Sequence, residues 1–332
     1  EYEAKAAFTF KKSNKKRRGK PGAEANSSAS LKVIVCENPT SQRNYYMTSE
    51  SWLEAKSEKG EEAKKVQNTE KMAGLFDKQA DLYLDARPNY PSEWFSKLAD
   101  LTDHHGLAWD AATGNGQAAL AVADHYERVI ATDVSESQLK VATPHPKIDY
   151  RHTPSSMTDD ELVELIGGEN SVDLITVAQG VHWFDLPRFY AVATRVLRKP
   201  GGIIAVWGYN DVLVTPEFDA VQYRFHAQTL PYWKYPNIQH IFDSYEALPF
   251  PFESVGMGSE GKPLKLEMPK TTSFEGIIRM IKSWSAIVTA KEKGVDLLPE
   301  SLVRELETAW GGPDLIRPVV YKAFMIAGKV RV

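Results

Sequence analysis

The sequence predicts an α/β protein built on a doubly wound, mostly parallel sheet with helices on both faces, and three observations lead there. From residue 107 onward, short apolar segments alternate with amphipathic ones, the rhythm of right-handed βαβ units. Those segments are apolar almost throughout, as strands covered on both sides are. A pair of glycines stands between the first strand and the first helix, at the turn where such sheets meet their ligands.

The elements run in order along the chain. "LAWDAA" leads into the helix "NGQAALAVADHY", "RVIATDVS" into "ESQLKVA", "IDYRHT" into "TDDELVELIG", and "SVDLITVAQ" into "LPRFYAVATRVL"; "GGIIAVWGYN" is a fifth strand. Past Asn210 the pattern changes. "PEFDAVQYRFHAQTL" reads as a helix, "PLKLEM" and "VVYKAFMIAG" as strands, and "TSFEGIIRMIKSWSAIVTA" and "PESLVRELETAW" as helices between them. The two late strands bring the sheet to seven, and the late helices form a C-terminal helical cap over its carboxyl edge. Of the aromatic residues crowded there (Tyr223, Phe225, Tyr232, Trp233, Tyr235, Trp284 and Trp310), most are expected to pack the core or a lid and a minority to face a ligand.

Composition sets the frame. The 332 residues are 42% hydrophobic and 25% charged, ordinary for a soluble protein, and no apolar run approaches the ~18 residues a membrane span needs. The single cysteine, Cys36, allows no internal disulfide and fits a reducing compartment, so a cytoplasmic location is expected. Residues 1–71 carry 15 Lys and Arg against 10 Asp and Glu, while the whole chain has a net charge of −4; the body is therefore acidic, without a general nucleic-acid footprint. Dense charge and low hydrophobicity predict a disordered basic leader over 1–71, in which "LKVIVC" alone could be a strand. The run Lys15 to Lys20 reads as a solvated leader, with a nuclear address or RNA contact as the functional alternative. No signal or transit peptide is expected, and the folded part is read as beginning at Met72, with a core over about 105–210 and a cap over about 211–315 joined by the segment 74–95.

The glycine turn singles out the candidate site. Asp110 closes the first strand, and Gly114 and Gly116 let the backbone bend with positive φ and approach a ligand closely, while the next helix directs its first N–H groups there. "GNGQAA" fits the dinucleotide fingerprint G-x-G-x-x-A, with Asp133 about 20 residues on to hold a ribose. It equally fits a methyl-donor loop, D-x-(G/A)-x-G-x-G, through Asp110, Ala112, Gly114 and Gly116. Asp133 serves either nucleotide, or caps the turn in "DVSES". On these residues an NAD-dependent oxidoreductase stays open beside a methyltransferase.

The fourth strand and the segments after it, "VDLITVAQGVHWFDLPRFYAVATRVLRKPGGIIAVWGY", resemble the class I S-adenosylmethionine-dependent methyltransferases. "FDKQADLYLDARPNYP" and "SWSAIVTA" resemble, more narrowly, the small-molecule group that includes trans-aconitate methyltransferases and their fungal and plant relatives. The likeness spans about residues 74 to 330. It implies a Rossmann-like methyltransferase fold, S-adenosyl-L-methionine as methyl donor and S-adenosyl-L-homocysteine as product. It places Asp110, Ala112, Gly114 and Gly116 around the methionine portion, Asp133 at the ribose, Val134 at the adenine edge, and Gln179 with Val181 near the sulfonium. Ser155 and Ser156 stand where relatives have a small residue followed by an acidic one near adenine, so Ser156 is a departure. Ala112 replaces the first glycine, which a negative φ would accommodate. The segment before the first strand is implied to fold over the donor, with Tyr83 lining the methyl site and Arg87, four residues on in a helix ending before Pro88, pairing with a carboxylate of donor or acceptor.

Methyl transfer is an in-line displacement at a carbon the sulfonium already activates, so the protein supplies alignment and a dry site. The eight histidines show no H-E-x-x-H pair, no metal is expected, and "DHH" at 103–105 reads as a solvated turn. His182 is a general base if the acceptor is a hydroxyl, and a positioning or packing residue if it is an ionised carboxylate, the reading favoured here. Trp183 is read as a wall of the pocket. The acceptor expected is a small molecule, an organic acid among the candidates, with Trp233 and Trp284 as an apolar wall and Arg279 as an anchor. A non-catalytic binding protein is the rival from another class; no membrane partner is expected, and nucleic acid only through the leader.

Overall fold

The computed structural model describes residues 87–234 and 236–331, together with two upstream strands. Those strands, β1 (Val33–Glu37) and β2 (Asn44–Thr48), pair antiparallel with Val33 opposite Thr48, so "VIVC" of the run "LKVIVC" lies in a strand. The rest of the leader, the boundary at Met72, and the residues Tyr83 and Tyr235 lie outside the described residues.

Among the described residues of the larger unit the first helix is α1 (Ser92–Ala99), and the alternation that the sequence predicts follows. Five parallel strands come next, β3 (Leu107–Ala111), β4 (Arg128–Asp133), β5 (Ile148–His152), β6 (Leu174–Ala178) and β7 (Ile203–Leu213). Between them lie α2 (Gln117–Ala123), α3 (Glu136–Lys140), α4 (Asp159–Ile166) and α5 (Leu186–Val196). The C-terminal part adds α6 (Pro216–Thr229), α7 (Gln239–Phe242), β8 (Glu253–Ser254), β9 (Leu264–Ser273), α8 (Phe274–Lys282), α9 (Ser285–Glu292), α10 (Glu300–Trp310) and β10 (Ile316–Lys329). Across the sheet the order is β5-β4-β3-β6-β7-β10, with β10 antiparallel to β7. Strand order therefore reverses beside β3, which opens a crevice beyond the carboxyl ends of β3 and β6.

The sheet has eight strands, one more than the sequence predicts. Two strands share the far side of β10: β9 pairs with Ile316–Met325, and the two-residue β8 pairs with Gly328 and Lys329. So short a strand carries no alternation that a sequence could show. The predicted long helix over 272–290 is also broken in two. Ser283 Oγ donates back to the Met280 carbonyl at 2.6 Å, and Trp284 turns extended with φ −74° and ψ 136°, a serine hydroxyl competing with the helix ladder.

Both faces of the sheet are covered, and the period of two decides which residue goes where. Ala108, Leu174, Ile203, Ala205 and Trp207 pack with α1, α2, α6, α8 and α10; Trp109, Ile175, Ile204 and Val206 pack with α4, α5 and the segment after α7. The "VLRKPGG" stretch has a structural task of its own. Arg198 Nε donates to the buried Asp173 at 2.5 Å, and Asp173 also receives the N–H groups of Gly106 and Leu107 at 2.9 and 3.0 Å. One carboxylate thus ties the start of β3 to the segment that feeds β7. Among the described residues no helix is long and apolar enough to cross a membrane.

Candidate active site

The turn after β3 is held from below by a buried carboxylate. Asp110 is fully buried and accepts hydrogen bonds from Thr113 Oγ1 at 2.5 Å and Thr176 Oγ1 at 2.6 Å. Burial outweighs those bonds and pushes its carboxyl up to about 6, with the charge of Asp133 adding to the rise. In this position Asp110 braces the loop through Thr113 rather than presenting its own oxygens to the crevice.

The loop backbone is left-handed three times over, at Ala112 (φ 55°), Gly114 (φ 57°) and Gly116 (φ 88°). The positive φ at Ala112 overturns the expectation of a negative one. An L-residue there costs about 1–2 kcal/mol, and its methyl also dictates the residue across from it, because a Cβ on Gly180 would lie 2.8 Å from Ala112 Cβ. Gly116 is equally constrained: a Cβ there would lie 2.3 Å from the hydroxyl of Tyr150, whose OH donates to the Thr143 carbonyl at 3.0 Å. Among the described residues no side chain caps α2. Beside this bare helix start, Asn115 is buried and its Nδ2 has no partner among the described residues.

At the end of β4, Asp133 accepts from the N–H of Gly114 at 2.8 Å and from the N–H of Ser135 at 2.8 Å. The same carboxylate therefore locks the glycine turn to the neighbouring strand, and its pKa is raised, burial being the main cause. Val134 is half-buried, with its carbonyl accepting from His152 Nε2 at 3.1 Å. Ser155 and Ser156 form a turn beyond β5, the first half-buried and the second exposed.

Gln179 comes directly after β6 with φ 57°, and its amide pairs with both backbone groups of Tyr209, Nε2 donating to the carbonyl at 3.0 Å and Oε1 accepting from the N–H at 2.8 Å. This side chain fixes β6 to β7. Val181 and His182 are buried in the short 3-10 turn beyond it. Burial drives the His182 imidazole down to about 3, with His240 contributing, and its Nδ1 has no partner among the described residues. A group so weakly basic is mismatched to proton abstraction near neutrality, which favours positioning or packing over the general-base reading. Trp183 packs against it with ring centroids 5.0 Å apart.

Next to Gln179 and His182 lies a cavity of about 100 Å³, lined also by Arg87, Tyr209, Gln222 and Trp284. Arg87 stands at a bend, since the residue before a proline is pushed out of the helical region. Its guanidinium donates to Tyr209 Oη at 3.1 Å and to the Ser283 carbonyl at 2.8 Å, the carbonyl freed by the break between α8 and α9. Trp233 and Trp284 do form a wall, with centroids 5.9 Å apart and His226 wedged beside both. Arg279 is no anchor: it is exposed, 3.9 Å from Glu275, and absent from the cavity lining. Sequence reasoning missed Thr113, Thr176, Tyr150, Tyr209 and Gln222. Only Gln222 and His226, one helical turn apart on α6, carried any periodic signal.

The methyltransferase domain family matches residues 109–206, the stretch from β3 into β7. Over 258 residues the chain is 33% identical to a Dictyostelium discoideum protein named as a methyltransferase, covering 74% of this chain and 91% of that one. The chain belongs to the class I S-adenosylmethionine-dependent methyltransferases. The solved structure of a type II methyltransferase from Anaeromyxobacter dehalogenans is similar to this methyltransferase with a TM-score of 0.62 and 33% identity, covering 73% of this chain and 97% of that one. Methyltransferase ptaI of Pestalotiopsis fici is 24% identical over 308 residues, 74% of this chain and 90% of its own. With the family established, the dinucleotide reading of the glycine turn falls away. The residues present suit S-adenosylmethionine: a cradle with no side chains at Gly114 and Gly116, and a buried amide on Asn115 with an unsatisfied donor.

Proposed function

We propose that this methyltransferase acts on a small carboxylic acid, and the observation that carries the reading is the chemistry of the cavity wall. The bound donor supplies a methyl carbon already activated by its sulfonium, so the chain's task is to hold, align and keep dry. In this reading Gly114, Gly116 and Asn115 contact the methionine portion, with Asp110 and Ala112 shaping the turn. Asp133 takes the ribose hydroxyls on its remaining lone pairs. Val134, Ser155 and Ser156 border the adenine, while Gln179 and Val181 shape the floor below the sulfonium. Tyr83 lines the methyl site.

A hydroxyl acceptor needs a base, and the two histidines that line the cavity are poor ones. Burial lowers His182 to about 3 and His226 to about 4. An ionised carboxylate needs none, and the Arg87 guanidinium in the wall suits it. Besides its histidines, the lining holds one guanidinium, Arg87, and one carboxyl, Asp211, so Asp211 as base toward a hydroxyl is the second reading.

A panel of carboxylic acids and phenols assayed with labelled donor decides between them. Arg87→Met is expected to raise KM for acids about 10- to 100-fold, the loss of a hydrogen bond to charge, with S-adenosylhomocysteine affinity unchanged. Methylation confined to phenols, abolished in Asp211→Asn and indifferent to Arg87→Met, would contradict the carboxylate reading.

A further inference from the structure

A carboxylate alone does not account for the cavity wall, because α6 carries a second polar group toward it. Helix α6 starts at Pro216 behind the Thr215 cap and buries Phe218, Val221, Gln222, Phe225 and Thr229, one face at helical spacing. Gln222 is the polar member of that face within the cavity lining, and it is only 9% exposed. Its Nε2 donates to the Val212 carbonyl at 3.3 Å. A carbonyl oxygen only accepts, so this bond fixes which end of the amide is which. Oε1 is left out of that bond, and it is buried with no hydrogen-bond partner among the described residues.

Buried amide oxygens are rarely left without a donor, and an unsatisfied one that lines a cavity needs an explanation. The neighbours supply none. Of the indole donors in the lining, Trp233 Nε1 donates to Thr229 Oγ1 at 2.8 Å and Trp284 Nε1 to the Met280 sulfur at 3.1 Å. The residue that carries this unused acceptor lines a small cavity that Trp233, Trp284 and His226 also line, with a guanidinium elsewhere in the lining. We infer that Gln222 is a specificity-determining residue whose Oε1 accepts a hydrogen bond from a hydroxyl on the acceptor, so that the substrate is a hydroxylated carboxylic acid rather than a plain one. The acid half of this inference rests on the proposed function; the hydroxyl half rests on Gln222 alone.

The discriminating power of such a contact lies in rejection. A site built to bond a hydroxyl leaves a buried polar group unpaired when the analogue lacks it, whereas a purely apolar pocket separates the two poorly. The test uses matched pairs at the wild-type enzyme with S-adenosylhomocysteine bound: small aromatic and aliphatic acids with and without a hydroxyl, and the corresponding phenols and alcohols without a carboxylate. Calorimetric affinities give a hydroxyl-to-hydrogen ratio for each pair. For at least one pair the wild type is expected to favour the hydroxylated member about 10-fold or more. Gln222→Leu should bring that ratio close to one, and Gln222→Glu, which keeps an acceptor oxygen in place, should retain it. Thermal melting of both variants checks the fold, and since a ratio is read, a general loss of affinity does not mimic the effect.

Hydroxyl preference that depends on Gln222 but appears only in compounds without a carboxylate would refute the acid reading and leave Gln222 standing. A ratio unchanged in Gln222→Leu, no preference in any pair, or no binding by any member would overturn the role of Gln222.

Discussion

The glycine turn, where we place the donor, and the cavity, where we place the acceptor, are built from different materials. Around the glycine turn the working groups are main-chain: left-handed bends at 112, 114 and 116, the N–H of Gly114, the bare start of α2, and one carboxylate at the end of β4. The cavity uses side chains instead, drawn from elements far apart in sequence: Arg87 before α1, Tyr209 on β7, Gln222 on α6 and Trp284 before α9. A main-chain site leaves a local mark, because only certain residues permit the backbone it needs. A side-chain site assembled over some 200 residues leaves almost none.

Breaking the donor side at its backbone should have the largest effect. Gly116→Val places a branched side chain at φ 88° against the Tyr150 hydroxyl, and it is expected to reduce S-adenosylhomocysteine affinity by more than about 100-fold in a titration, strain and clash together costing several kcal/mol. Adding Tyr150→Ala should recover only part of this, since the left-handed backbone remains. Full recovery would mean that space alone, not backbone, limits the loop.

The two sides should also separate by pH. His182 is depressed to about 3, so the stability tied to its neutral form is present above its ordinary 6.5 and is lost as pH falls toward 3. Asp110 is raised to about 6, so its contribution is present below its ordinary 3.8 and is lost as pH rises through 6. Between about pH 5 and about pH 7 the two oppose each other, each by about 1–2 kcal/mol. Denaturant melts at those two pH values should show Asp110→Asn gaining more stability toward pH 7 than the wild type, and His182→Gln gaining less. Parallel shifts in both variants would contradict the assigned burial.

The smallest effect sharpens the comparison. Ala112→Gly relieves a left-handed alanine and should raise stability by about 1 kcal/mol, net of glycine's greater entropy when unfolded. Gly180→Ala should be destabilising in the parent, and markedly less so once Ala112→Gly has removed the facing methyl. Equal costs in the two backgrounds would sever the proposed link between these positions.

The same contrast governs how much of the molecule is legible in its sequence. The alternating apolar segments mark the parallel strands, because each of those strands must be apolar on both faces. Asp110, Gly114, Gly116 and Asp133 are legible from spacing. The φ at Ala112 is not, since alanine carries no mark of the left-handed region; nor is the second job of Gln179, whose amide closes on Tyr209 only after two strands pair. Arg279 looks like an anchor by charge, yet the phase of α8 turns it outward. Arg87 needs the helix break at Ser283, which a periodic reading of 272–290 smooths over.

Asp133 is where the two descriptions of the donor loop meet, because it holds the glycine turn and is assigned the ribose. Calorimetric titration of S-adenosylhomocysteine into the wild type and Asp133→Ala, with melting temperature as a control for the fold, measures this most directly. Affinity is predicted to fall about 100-fold, a few kcal/mol for the two ribose bonds and the loosened turn, in a variant that still melts cooperatively. Affinity within about twofold of the wild type, against that 100-fold expectation, would contradict it, and the nucleoside would then bind somewhere other than beside the glycine turn and the end of β4.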